Sequence, residues 1–160
     1  GYKVSIKRFE DIEAWQFARE LPLDVYGLTK EPPFAKDFGL KGQIQDAAAS
    51  SMHNTAVGFD SETNAEFIRF LRYAKRSCTE VQSQLYVVLD NEYITQEQFD
   101  NVYVQARRTR AAIRGFINYL VKYNKNQSHG SVSDMCAKYK TDNREPLNPE
   151  PIQHAFNRRT

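Results

Sequence analysis

Apolar residues recur at three- and four-residue steps along four stretches of the chain, the spacing that gathers them on one face of an α-helix. The first stretch runs from about Asp11 to Lys30. It places Ala14, Phe17, Ala18, Leu21, Val25 and Leu28 on one face, with Trp15 and Tyr26 on a neighbouring one. Asp11 is the expected N-cap, and Glu13 complements the positive end of the helix dipole. Pro22 removes the hydrogen bond to Ala18 and marks a place to bend, while Glu31-Pro32-Pro33 stops the helix. The second stretch, from about Asp37 to Phe59, carries a stripe of small residues: Ala47, Ala48, Ser51 and Thr55 with Leu40 and Ile44. Such a stripe lets a neighbouring helix approach closely.

The third stretch, from Ser61 as N-cap to about Asn91, repeats Phe67, Phe70, Leu71, Ala74, Cys78, Val81, Leu85, Val88 and Leu89. Thr95 and Gln98 then have capping-box spacing. They open a fourth helix from about Gln96 to Tyr123, whose apolar face is Phe99, Val102, Ala106, Ile113, Phe116, Ile117 and Leu120. Connections of about six, two and four residues between helices of this length force antiparallel neighbours. The expected fold is therefore all-α, an antiparallel up-down-up-down four-helix bundle over residues 11–124. A short N-terminal segment (1–10) precedes it and an irregular, extended or partly helical C-terminal tail (125–160) follows. Within the tail, Ser133–Lys140 is compatible with a short helix, and Pro146, Pro149 and Pro151 punctuate the remainder.

Composition changes this picture little. The chain has 160 residues, 41% hydrophobic and 26% charged, ordinary values for one globular domain. Cys78 reads as a core residue and Cys136 lies in the tail, with a bridge between them left open. There is no run of roughly 20 apolar residues to span a membrane and no signal-peptide pattern, so the expected setting is the cytoplasm.

Charge changes it more. The net charge is only +2, from 22 Lys and Arg against 20 Asp and Glu, but the basic groups are unevenly placed. No acid lies between Asp100 and Asp134, whereas Arg107, Arg108, Arg110, Arg114, Lys122 and Lys125 all do. At about 100° per residue, Arg107, Arg114 and Lys125 align, with Arg110 and Lys122 flanking and Arg108 nearby. The row spans roughly 27 Å at 1.5 Å per residue and is expected opposite the apolar face. The preceding helix adds Arg69, Arg72 and Arg76, with no acid between Glu66 and Glu80. Cations without local acids are the footprint of a phosphate-binding surface, although solvated helix faces are commonly charged for no further reason.

Aromatic residues make up 12% of the chain. Tyr73, Tyr86, Tyr103, Tyr119 and Tyr123 sit on or beside the long helices, suited to base stacking or, as the preferred reading, to interfaces. Trp15, Tyr26, Tyr73 and Tyr119 are the candidates for a subunit interface. His53, His129 and His154 lack metal-ligand spacing, and no paired Glu-x-x-His motif, phosphate loop or nucleophile elbow is present. No cofactor, metal or catalytic residue is therefore assigned.

Several segments carry a family resemblance. They are Phe9-Glu10-Asp11-Ile12-Glu13-Ala14-Trp15-Gln16-Phe17-Ala18, and Gly39-Leu40-Lys41-Gly42-Gln43-Ile44 continuing through Ala47-Ala48 and Asn54 to Gly58-Phe59. Glu66-Phe67-Ile68-Arg69-Phe70-Leu71 and Tyr93-Ile94-Thr95 complete the set. Together they resemble the four-helix bundle proteins encoded within 23S ribosomal RNA intervening sequences, grouped with the accessory variability proteins of diversity-generating retroelements. Val57 stands where the family commonly has a glutamate, so any role of that carboxylate is missing here. The resemblance, over residues 8–124, implies a homo-oligomer, typically a pentamer. For the retroelement branch it also implies binding of nucleic acid and of a reverse transcriptase.

Two function classes follow. One is a non-enzymatic ring of bundles that binds RNA or DNA through the basic helix faces. The other is a protein-interaction scaffold whose tail engages a partner protein.

Overall fold

A computed structural model describes residues 6–126 and 132–142. Among them there are five α-helices and no strand: α1 (Glu13–Thr29), α2 (Phe38–Phe59), α3 (Asn64–Asp90), α4 (Gln96–Asn126) and α5 (Val132–Asp142). The first four form the bundle, in which α2 packs on α1 and α3, and α4 closes the circle against α3 and α1. Among the described residues no helix is long and apolar enough to cross a membrane.

Local capping chemistry sets the helix ends. Asp37 Oδ1 accepts from the Leu40 amide at 3.1 Å and starts α2. Thr95 and Gln98 close the expected capping box, with the Gln98 amide donating to Thr95 Oγ1 at 3.1 Å and the Thr95 amide to Gln98 Oε1 at 2.9 Å. Two expected caps are displaced. Asp11 lies instead in a 3-10 turn over Phe9–Asp11, leaving Ile12 as the N-cap of α1. Thr63 rather than Ser61 caps α3, because Ser61 donates to the Val57 carbonyl at 3.4 Å at the end of α2 while Thr63 Oγ1 takes the Glu66 amide at 3.2 Å. The connections, residues 30–37, 60–63 and 91–95, are accordingly longer than expected.

At the α3 end, the Tyr93 amide reaches the Val88 carbonyl and the Glu92 amide the Leu89 carbonyl, at 3.1 and 2.9 Å. This is the Schellman arrangement, and it holds Glu92 at φ 58, a left-handed position more often given to glycine. Tyr93 then stacks on Phe34, ring centroids 5.5 Å apart, and donates its hydroxyl to Asp37 Oδ2 at 3.0 Å. That carboxylate raises the Tyr93 pKa above its ordinary value and ties the α1–α2 and α3–α4 connections together.

Pro22 lies within α1, which runs through it. Gln105 and Thr109 of α4 both donate to the Phe17 carbonyl at 3.3 Å, so polar bonds as well as packing join α4 to this part of α1. On α2 the small stripe is buried as expected. Gly58 meets α3 so closely that an added Cβ would lie 2.8 Å from Phe67 Cδ2 and 2.9 Å from Phe70 Cβ. Ser50 and Ser77 meet across the same pair of helices, Oγ to Oγ, at 3.0 Å.

Phe67 anchors the centre, edge-on to Phe59 of α2 at 6.3 Å and to Phe116 of α4 at 5.6 Å. Phe116 in turn contacts Tyr139 at 4.9 Å, which docks α5 on the bundle. The helix expected near Ser133–Lys140 is thus present, with Val132 and Cys136 buried. Cys78 and Cys136 are both free thiols, and burial pushes each up to about 12, so neither is a reactive thiolate near neutral pH. The prolines at 146, 149 and 151 lie outside the described residues, as do His129 and His154.

Candidate nucleic-acid interface

Arg107, Arg114, Lys122 and Lys125 are exposed on the side of α4 away from the core, and Arg110 is half-buried at the edge of that side. Arg110 Nε donates to Thr79 Oγ1 of α3 at 3.1 Å, so the row borders the flank where α4 meets α3. Arg107 and Arg114 lie within about 60° of Arg110 around the helix and share that flank. On the facing helix, Lys75 lies within electrostatic reach of Arg110 and Arg114. Burial lowers its pKa first, then the charges of Arg110 and Arg114 from α4, then Arg72 and Arg76 from its own helix. The charges of four arginines from two helices thus act on one lysine.

Lys75 was absent from the sequence-level candidates. Its spacing to Arg72 and Arg76 was visible, but its register against α4 was not.

The cluster lacks compensation. The ion pairs among the described residues are Arg8 with Glu10, 3.1 Å, and Arg69 with Glu66, 3.7 Å; neither involves the cluster. Because the Lys75 pKa is lowered, its ammonium costs folding stability at every pH below that pKa. The cost fades as pH rises from that pKa to the ordinary lysine value, above which both states are neutral. Lys75→Met is therefore expected to raise the melting temperature slightly in low salt, by no more than about 0.5 kcal/mol of stability. The gain should shrink as added salt screens the repulsion. A variant that melts lower in low salt than the parent would show the repulsion to be unimportant. Like charges held together at a cost to the fold are a mark of a binding surface.

The other candidates divide. Arg72 and Arg76 join the cluster. Arg69 is turned to Glu66 and lies over the rings of Phe70 and Tyr73, at 5.4 and 5.9 Å from their centroids. Arg76 also covers Tyr73, at 5.7 Å. Arg108 lies about 120° around α4 from Arg114, away from the α3 flank. Lys122 and Lys125 are exposed further along α4.

Of the four aromatics offered for a subunit interface, two are engaged within the chain. Trp15 is 8% exposed and edge-on to Phe9 at 5.0 Å. Tyr119 packs on Tyr139 of α5 at 4.9 Å. Tyr26 and Tyr73 remain exposed, and Leu23 is exposed one turn before Tyr26. Val57 is exposed too.

At one end the basic flank gives way to aromatics. Tyr103, Arg107, Arg110 and Arg114 follow one another at steps of four, three and four residues. Tyr103 stacks on Phe99 with centroids 5.2 Å apart and planes inclined by 23°. Tyr86 of α3 stands edge-on to both, at 5.0 Å from Phe99 and 5.9 Å from Tyr103. A hydrogen bond with Tyr103 raises the Tyr86 pKa. Among the described residues, no group of three or more His, Cys, Asp or Glu side chains converges as a metal site would require.

The model of the 23S rRNA-intervening sequence protein family matches residues 10–115, which span α1, α2, α3 and most of α4. The chain belongs to that family. Six solved chains also match this intervening-sequence family member. One is a protein of unknown function from the S23 ribosomal protein family of Bacteroides thetaiotaomicron VPI-5482. It superposes with a TM-score of 0.62 at 20% identity, covering 66% of this chain and 95% of that one. At that identity the likeness shows the shared fold. No curated protein matches the chain in sequence.

Proposed function

We propose that this 23S rRNA-intervening sequence protein is a non-enzymatic nucleic-acid-binding protein that contacts phosphates along the α3–α4 flank. The observation that carries the reading is the Arg110–Thr79 hydrogen bond, which sets Arg110 and Arg114 of α4 within electrostatic reach of Lys75 on α3, without an acid paired to any of the three among the described residues. Backbone phosphates are the partner that such a row of cations accommodates best. The family's tie to ribosomal RNA makes RNA the first ligand to test, ahead of DNA.

The active unit in this reading is a homo-oligomer, a pentamer by family resemblance. Leu23 and Tyr26, 52% and 47% exposed on α1, are apolar surface available for subunit contact. A ring would repeat a modest patch several times and multiply weak contacts into avidity. An accessory role beside a reverse transcriptase is the retroelement version of the same proposal.

Binding is expected to be steeply salt dependent. With four phosphates contacted, affinity for single-stranded RNA should fall roughly 50-fold between about 50 and 200 mM salt. Fluorescence anisotropy at several salt concentrations reads this directly, and binding indifferent to salt would contradict the proposal.

A further inference from the structure

The α3–α4 flank combines two features that the phosphate reading alone does not use together. Its cations form one narrow row, and the row ends on a group of aromatic rings. Tyr86 is 51% exposed, although it is a large side chain with an apolar body. Its edge contacts with Phe99 and Tyr103 hold the ring in place. From Tyr103 to Arg114 the α4 side of this surface spans about 16 Å, the reach of a few nucleotides of extended strand.

We infer that this surface takes a single-stranded segment of nucleic acid, with a base stacked on Tyr86 and the adjoining phosphates on Arg107, Arg110 and Arg114. The inference rests on the nucleic-acid reading above and narrows its ligand. In a duplex the base faces are occupied by one another, so an exposed ring beside the cationic row finds no surface to cover it. An unpaired base offers such a face, and stacking of this kind tolerates any base identity. Cationic rows alone bind both forms; the adjacent ring is what separates them. Tyr103, stacked on Phe99, meets the Tyr86 ring edge-on and supports it.

The test uses the full chain and two labelled probes, a twelve-nucleotide oligouridylate and a twelve-base-pair RNA duplex, in the same low-salt buffer. The single strand is expected to bind more tightly than the duplex. Tyr86→Leu should weaken single-strand binding by about 5- to 150-fold while leaving duplex binding unchanged. Tyr86→Phe, which keeps the ring and loses the hydroxyl, should bind within about twofold of the parent.

Equal binding of both probes, or a Tyr86→Leu variant that binds the single strand normally, would overturn this inference and leave the phosphate reading standing. Binding of neither probe would overturn both. A Tyr86→Leu variant whose molar mass in solution drops would place the ring at a subunit contact instead, and would also overturn it. Tyr86 lies at the surface, so thermal melting near that of the parent is expected to accompany all of these measurements.

Discussion

Replacing Lys75, Arg107, Arg110 and Arg114 together by glutamine is expected to weaken RNA binding roughly 30- to 800-fold at low salt. The range follows from about 0.5–1 kcal/mol for each exposed charge removed and about 1.4 kcal/mol for each tenfold change in affinity. The slope of log affinity against log salt should flatten by about 3, since four fewer counterions are exchanged on a single strand. The fold should not suffer. Glutamine keeps the helix propensity of lysine and arginine. The side chains lost make one hydrogen bond between helices, that of Arg110 to Thr79, and removing mutual repulsion offsets that loss. Melting temperature and binding therefore separate cleanly in this variant. A quadruple variant that binds RNA like the parent, with the same salt slope, would sink the assignment of the α3–α4 flank. Arg108→Gln, which alters α4 away from that flank, is the matched control and should bind within about twofold of the parent.

The second large effect lies in the core. Phe67→Ala is expected to cost about 3–5 kcal/mol, because the ring is fully buried between Phe59 and Phe116 and its removal leaves a cavity. Denaturant midpoints or a fall in melting temperature on the order of 10–20 °C would register it. Gly58→Ala attacks the same contact by adding one methyl group rather than removing a ring. The Phe67 ring is able to turn, but Phe70 Cβ, 2.9 Å from the new atom, is fixed to its backbone, so α2 and α3 must part. The expected cost is about 1–3 kcal/mol.

Gly42 in the same helix provides the contrast. An added Cβ there meets nothing within 4 Å, so Gly42→Ala should stabilise by about 0.5–1 kcal/mol through backbone entropy alone. If Gly58→Ala proved as stable as Gly42→Ala, the close approach of α2 to α3 would not be a requirement of the fold.

Much of this was legible in the chain itself. The apolar positions of α3 and α4 are buried where periodicity placed them, except that Phe70 and Leu89 of α3 are only half-buried. The small stripe on α2 marks the close helix pair. Helix starts were less legible, because Ser, Thr and Asp near a boundary offer equivalent caps. Ser61 and Thr63 both fit, and the structure gives one the end of α2 and the other the start of α3. Aromatic residues were the least legible. Trp15 and Tyr119 have the same amphipathic character as Tyr26 and Tyr86, yet Phe9 and Tyr139 cover the first pair, while about half of each of the second stays exposed.

Taken alone, the sequence determined that there are four long amphipathic helices, which face each one buries, and that α4 carries cations without acids beyond Asp100. Those are local properties, set by a period of 3.6 residues and by side chains within one turn of each other. Only the tertiary structure decided that Lys75 belongs to the cluster, that Arg108 does not, and that Tyr86 stands at its end. Those outcomes depend on the sliding register of α3 against α4, which is settled by the volumes of buried side chains such as Phe67 and Phe116 meeting across the core. A single helix carries no information about the register of its neighbour, and charges on two helices acquire a common function only once that register is set.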